Sequence, residues 1–240
     1  TLQGQTQDSR YYKKENGAYY YSGTQQPNHD VVIVGWDDDY PAENFTTLPP
    51  ENGAFLCENS WGTGFGKDGF FYVSYYDTNL GATNLVYSGV EPTDNYDEIY
   101  QSDLCGWVGQ LGYNKESIYG ANVYTAESNQ NLTAASFYAT GKDSEYQLYV
   151  VKNFEDESSL SNMTPVASGK LSNAGYYTIP FDKQIALDAG ERYAVVLFIS
   201  TPDAVHPLAI EYEADDATAD VVLDDGEGYV SANGFEWENV

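Results

Sequence analysis

The sequence predicts a mostly β chain folded as two domains, residues 1–90 and 91–240. Three observations carry that expectation. First, 23 Tyr, 10 Phe and 4 Trp stand beside a single Met, and aromatic side chains suit a pleated, half-buried surface better than a long helix. Second, the apolar runs are short and are separated by Gly, Asn, Asp and Ser, which is strand-and-turn patterning. Third, Glu91–Asp97, with Pro92 and short polar residues, has the composition of a linker, and the texture of the chain changes after it. A hydrophobic content of 42% can supply real cores.

In the first domain, Ala18–Ser22 and His29–Trp36 read as strands, and the apolar run Val31-Val32-Ile33-Val34 of the second is expected to enter the core. Asp37–Gly53 holds three prolines and a cluster of acids; so polar a segment could not satisfy its backbone inside a core, so it is a surface loop. Ala54–Asn59 is a third strand, a turn studded with Gly62, Gly64, Gly66 and Gly69 follows, and Phe70–Tyr76 and Leu85–Val90 complete the unit. In the second domain strands are expected at Ala121–Thr125, Ala134–Thr140, Tyr146–Val151, Tyr176–Pro180, Arg192–Ser200, Pro207–Tyr212 and Gly228–Ser231. That spacing indicates an antiparallel sandwich. Asn233-Gly234, between Tyr229-Val230-Ser231 and Phe235-Glu236-Trp237, predicts a hairpin with a type I′ turn. No repeat suggests a solenoid or propeller.

Charge narrows the function classes. Ten basic residues against 37 acidic ones give a net charge of −27, which repels phosphate backbones and anionic lipid and argues against nucleic-acid and membrane-surface roles. No run of 18 apolar residues is present, so no membrane span is expected, and residues 1–27 lack the layout of a secretion signal. Thr1 is therefore expected to be interior to a longer polypeptide. The two cysteines, Cys57 and Cys105, do not make a disulfide framework. The sequons at Asn44, Asn131 and Asn162 are taken as chance. The triplet Asp37-Asp38-Asp39 lacks the alternating spacing of a calcium loop and reads as a solvated turn, so no metal or other cofactor is expected.

The chemistry lies in two stretches of the first domain. One is Asn28-His29-Asp30-Val31-Val32-Ile33-Val34-Gly35-Trp36; the other is Phe55-Leu56-Cys57-Glu58-Asn59-Ser60-Trp61-Gly62-Thr63-Gly64-Phe65-Gly66, followed by Asp68-Gly69-Phe70-Phe71-Tyr72. Together they resemble the histidine strand and the Asn-Ser-Trp-Gly segment of the papain-like (C1) cysteine proteases, in the family's order. The resemblance implies the right-hand, β-barrel-like half of the papain fold. It also implies that His29 is the general base that pairs with a cysteine thiolate, that Asn59 orients its imidazole, and that Trp61 covers the bond between them. A peptide or protein would be the substrate, and the pocket that selects side chains would be built largely with residues of the other half.

The nucleophile of that family precedes the histidine by a long stretch and opens a helix in a Gly-Ser-Cys-Trp-like context. Nothing between Thr1 and Asn28 fits it. Cys57 sits where the family has an aliphatic residue and reads as a small buried hydrophobe. Cys105 is surrounded by Gly106, Gly109 and Gly112, a poor context for a helix N-terminus that would lower a thiol pKa. The expectation is that the catalytic cysteine lies on a segment absent from this chain, which alone is then inactive. The chain would pack against that Cys-bearing polypeptide or against a copy of itself. Asp30 replaces the family's usual alanine and is expected to point away from His29, since neighbours on a strand face opposite sides; Phe65 replaces its second tryptophan.

The second domain resembles the lectin-like domain fused behind papain-type peptidases in bacterial and archaeal surface proteins. The resemblance rests on Val90–Tyr96, Ala189–Val196, Pro207–Tyr212 and the Tyr229–Trp237 hairpin. It implies an extracellular or cell-surface, bacterial setting and a possible sugar or surface ligand. The alternative function is therefore a carbohydrate-binding or adhesion module carrying a silent protease remnant. His206 reads as a strand-edge residue without catalytic partners.

Overall fold

The structure is a computed structural model that describes residues 10–221 and 226–240. Thr1 lies outside them. Two compact units divide between Val90 and Glu91.

The first unit is one five-stranded sheet, in the order β1-β2-β5-β4-β3. Its strands are β1 (Tyr12–Lys13), β2 (Ala18–Tyr19), β3 (Val32–Asp37), β4 (Ala54–Glu58) and β5 (Phe70–Ser74). Pairings are antiparallel except β2 with β5, which is parallel. The period-2 alternation feeds two cores. Phe71 and Val73 of β5 join Tyr12, Tyr19, Tyr21, Cys57 and Phe65 on one face, while Tyr72 packs with Ala18, Tyr20, Tyr40, Phe45 and Ala54 on the other. The loop after β3 is at the surface but pinned. Tyr40 stacks on Tyr72 at 4.1 Å, and Gly53 N–H donates to Tyr40 O at 2.9 Å. The acidic triplet is held by Tyr75 O–H donating to Asp38 Oδ1 and by Asp39 N–H donating to Asp37 Oδ1. Among the described residues no group of three His, Cys, Asp or Glu is placed to hold a metal ion.

Two expectations fail here. β3 starts at Val32, three residues after His29, and does not enter a core: Val32 is 51% exposed and Trp36 72%, with Ile33 and Val34 also open. The cause is position. Among the described residues β3 is an edge strand, paired with β4 alone, and the barrel-like half is open because β1 and β3 are its two edges without a further partner strand there. Leu85–Val90 forms no strand, and Leu85, Val86, Tyr87 and Val90 are almost fully exposed; apolar alternation makes a strand only when another strand accepts its hydrogen bonds.

The second unit is an antiparallel sandwich. Its strands are β6 (Gly109–Leu111), β7 (Ser117–Thr125), β8 (Gln130–Ala139), β9 (Ser144–Lys152), β10 (Thr164–Leu171), β11 (Gly175–Leu187), β12 (Arg192–Ser200), β13 (Leu208–Ile210), β14 (Gly228–Ser231) and β15 (Glu238–Asn239). They form a six-stranded sheet, β10-β9-β12-β7-β14-β15, and a four-stranded sheet, β11-β8-β13-β6. Ile118, Leu148, Val150, Leu197 and Ile199 of the first sheet pack with Phe137 and Ala139 of the second. The other face of the six-stranded sheet buries Ala121, Val123, Ala194 and Val196 beneath Phe154 and Leu160. β12 thus supplies both layers, Leu197 and Ile199 inward, Ala194 and Val196 outward, which explains its unbroken apolar sequence.

Sequence reading passed over β10, where only Val166, Ala167 and Leu171 are buried. Its Pro165 is tolerated because β10 is an edge strand. The hairpin at Asn233-Gly234 exists, but its turn is not type I′. β14 and β15 pair as Tyr229↔Asn239 and Val230↔Glu238, and Gly234 has φ 78° whereas Asn233 is not in the positive-φ region. Asn233 Oδ1 instead accepts Phe235 N–H at 2.9 Å and Glu236 N–H at 3.0 Å, so the side chain builds a longer loop.

Candidate active site

Antiparallel pairing of β3 with β4 sets Val32 opposite Glu58. The residues just outside that rung, His29 before β3 and Asn59 after β4, therefore meet at one end of the sheet. Asn59 is buried and His29 half-buried. His29 Nε2 lies 2.8 Å from Asn59 Oδ1, and the same oxygen accepts Ser60 N–H at 2.8 Å. The second contact fixes the first. A backbone N–H can only donate, so the atom facing it is the amide oxygen, and Nε2 must then carry the proton that it gives to that oxygen. In the neutral ring Nδ1 is left as the basic nitrogen.

Trp61 lies against this pair, its ring 4.9 Å from that of His29 and tilted by 35°. It is held edge-on by Phe65 at 5.0 Å, and Phe65 stacks on Tyr12 at 5.2 Å. The phenylalanine in place of tryptophan is thus a working anchor. Beneath, Asn59 N–H donates to Gly69 O and Gly69 N–H to Phe65 O, which closes the glycine turn under the site. Gly66 has φ 55°, and a Cβ there would lie 2.1 Å from Phe70 O, so no other residue fits without moving backbone. Asp30 is exposed, next to the half-buried His29.

The two cysteines sit in contrasting surroundings. Cys57 is fully buried in the core of the first unit, and burial, followed by the nearby Asp77 carboxylate, pushes its thiol up to about 12. A thiolate is the reactive species, so this thiol is inert at neutral pH. Cys105 is exposed, belongs to the second unit, and sits on a turn whose amides are held by Glu211. His206 Nδ1 lies 3.2 Å from Gly112 O just before β13, outside any catalytic grouping.

Sequence reading missed Asp77. Its carboxylate is buried and accepts three amides, Tyr21 N–H at 3.0 Å and Asn79 and Leu80 N–H each at 2.9 Å. The adjoining turn holds the approach to His29, since Thr78 Oγ1 donates to Gly23 O and Asn79 Nδ2 to Gln25 O. The signal was present as Asp77-Thr78-Asn79, the pattern of an Asx turn.

Residues 99–240 match the family model of the lectin like domain, and residues 2–90 match that of the papain family cysteine protease. The chain belongs to the lectin-like domain family, joined to a papain-family segment. The chain is also similar to Cathepsin B-like cysteine proteinase 3 of Caenorhabditis elegans, 31% identical over 96 residues, which are 39% of this chain and 23% of that protein. Two solved structures extend the likeness across both units. The clostridial cysteine protease Cwp84 after propeptide cleavage has a TM-score of 0.74 and 29% identity, covering 95% of this chain and 58% of that one. The cysteine protease and lectin-like domains of Cwp84, described as a surface layer associated protein of Clostridium difficile, give 0.70 and 28%, covering 95% and 52%. The chain spans under a quarter of the curated relative and little more than half of the solved chains.

The buried thiol of the papain-family segment makes a direct prediction. In native protein Cys57 will resist a water-soluble maleimide from pH 7 to about 10 while Cys105 reacts, and both will react in denaturant. The folded thiol pKa is raised, so the unfolded chain loses this proton first. Stability should therefore fall by about 1.4 kcal/mol per pH unit above the ordinary thiol value of about 8.5, a slope absent in Cys57→Ala. Native labelling of two thiols per chain would refute the assignment.

Proposed function

We propose that the papain-family segment supplies the general base and its orienting amide to a cysteine peptidase whose nucleophilic cysteine lies outside these 240 residues. The observation that carries this reading is the bond from His29 Nε2 to Asn59 Oδ1, locked by Ser60 N–H, which leaves Nδ1 as the proton acceptor. An incoming thiol gives its proton to Nδ1, and the thiolate attacks the carbonyl carbon of a peptide bond. The imidazolium then protonates the departing amine, and a water that gives its proton to the same nitrogen hydrolyses the thioester. Asn59 holds the ring so that Nδ1 faces the reaction, and Trp61 shields the holding bond from water.

The Cys-bearing segment packs on the open side of the sheet. β3 offers Val32, Ile33, Val34 and Trp36 with an unpaired backbone edge, and Leu85–Tyr87 offers further apolar surface. A patch of this kind marks a contact site. The likeness to Cwp84 supports a cell-surface setting, with proteins as substrates.

The test is to combine the chain with a papain-type segment bearing the nucleophile and treat the mixture with an epoxide inactivator of papain-like enzymes. Label on the added segment, lost in His29→Ala, is the expected result. Label on Cys57 or Cys105, or labelling indifferent to His29, would overturn the reading. Ile33→Asp should weaken the assembly by about tenfold or more in analytical ultracentrifugation, because burying an apolar side chain is worth roughly 1.5–3 kcal/mol. Self-association of the isolated chain through β3 would fall by the same substitution.

A further inference from the structure

The outward face of the four-stranded sheet in the lectin-like domain carries a row of aromatic rings that the core does not use. Tyr176 of β11 stands directly opposite Tyr138 of β8, their ring centroids 4.8 Å apart, and Trp107, on the loop before β6, continues the row 5.9 Å from Tyr138. Tyr176 is 60% exposed and Trp107 37%. On the next outward rung, Ser136 Oγ and Thr178 Oγ1 lie 2.8 Å apart, and Ala134 faces Pro180 beyond them. The alternate residues Phe137, Tyr177 and Ile179 pack into the sandwich core. The row is therefore a separate surface, not a fringe of the interior.

The row is also held in place. The Glu211 carboxylate accepts the N–H groups of Cys105 and Gly106, and Asn122 Nδ2 donates to Ser102 Oγ and Asp103 Oδ2, so the loop presenting Trp107 is tied at two points. Gly106 has φ 66°, and a Cβ there would come within 3.2 Å of the Tyr138 hydroxyl. Loop and ring are fitted to each other. A ring that is already ordered binds without the entropy cost of being ordered.

Charge and chemistry select the occupant. The chain carries a net charge of −27, yet every outward position on these rungs is uncharged. An anionic polymer would be repelled by the surroundings, and a cation would find no carboxylate on the rungs to meet it. Rings that offer an apolar face, next to hydroxyls that both donate and accept, match a sugar, which has an apolar C–H face and a rim of hydroxyls. A row of rings, rather than one, suits an oligomer. We propose that Trp107, Tyr138 and Tyr176, with the Ser136 and Thr178 hydroxyls, form a binding site for a neutral oligosaccharide. The site does not depend on the peptidase reading of the first unit.

The test is a titration of the whole chain with cellohexaose, maltohexaose, mannohexaose, N-acetylchitohexaose and, as the anionic comparison, hexagalacturonate, followed by tryptophan emission and calorimetry. At least one neutral hexasaccharide should bind, and Tyr176→Ala and Trp107→Ala should each weaken it tenfold or more. Phe235→Ala, at an aromatic exposed elsewhere in the same domain, should leave the affinity unchanged. Tyr176→Ala changes a mostly exposed side chain and keeps the test valid should Trp107→Ala disturb its loop. Absence of binding to all four neutral sugars at millimolar concentration would overturn the proposal. Binding unaffected by Tyr176→Ala, or tighter binding of hexagalacturonate, would overturn it equally.

Discussion

His29→Ala in the assembled peptidase is expected to lower kcat/KM by on the order of 10⁴-fold, with the loss in kcat and KM nearly unchanged. In the mechanism proposed above the imidazole makes two proton transfers, taking the thiol proton and returning it to the leaving amine, and among the described residues no other side chain shares the hydrogen bond to Asn59 Oδ1. Alanine removes both transfers while leaving the substrate-binding surface intact. Asn59→Ala should cost less, about 10²-fold, because it leaves the base in place but releases its orientation. Asn59→Asp keeps an acceptor for both Nε2–H and Ser60 N–H and should retain more activity than the alanine variant. Hydrolysis of a fluorogenic peptide series by the assembled enzyme distinguishes these outcomes. A His29→Ala enzyme within tenfold of the parent would remove His29 from the mechanism.

The grouping of His29, Asn59 and Trp61 as a candidate site was more legible in the sequence than the surface around it. His29, Asn59 and Trp61 could be read because each sits in a dense local pattern, and pairing of β3 with β4 brings the two motifs together without any further element. Arg192–Ser200 and Gly228–Ser231 were legible to the residue, since β-branched and aromatic runs bounded by turn residues leave little choice of ends. Val31 does pack against the core of the first unit, but burial of Val32, Ile33 and Val34 was misjudged for a physical reason. Hydrophobicity records that a segment should be covered, whereas β3 lies at an edge where nothing among the described residues covers it. Leu85–Val90 repeats the lesson. At Asn233 the dipeptide rule gave way to side-chain capping, since an oxygen that accepts two amides stabilises a loop that the bare Asn-Gly preference does not describe. Asp77 was passed over because a lone acidic residue after a strand looks like a solvated turn until its three partners are seen.

Asp77→Ala is expected to destabilise the papain-family segment by about 3–5 kcal/mol, the range for breaking a buried charged network by removing one member. The carboxylate is 8% exposed, and its loss strands three amides at once, including that of the buried Tyr21. Urea titrations of the whole chain, followed by hydrogen exchange resolved to peptides of the first unit, should show the lower midpoint in this unit. Asp77→Asn should fall between, since Oδ1 can still serve Asn79 and Leu80 while an NH₂ now faces Tyr21 N–H. The two variants also separate packing from ionisation. Burial raises the Asp77 pKa, and the three amides pull the other way without cancelling it. A folded pKa above the unfolded value means that the folded state binds this proton more readily. That contribution is complete below the unfolded carboxylate value of about 3.9 and is lost as pH rises through the folded value. Asp77→Asn cannot ionise and lacks the slope. The stability gap between parent and Asp77→Asn should therefore narrow from acid toward neutral pH, and a gap that widens would show that the amides, not burial, govern the carboxylate. Because the 77–79 turn also holds the backbone of Gly23 and Gln25 ahead of His29, the alanine variant should lose peptidase activity in the assembled enzyme at temperatures well below its unfolding midpoint.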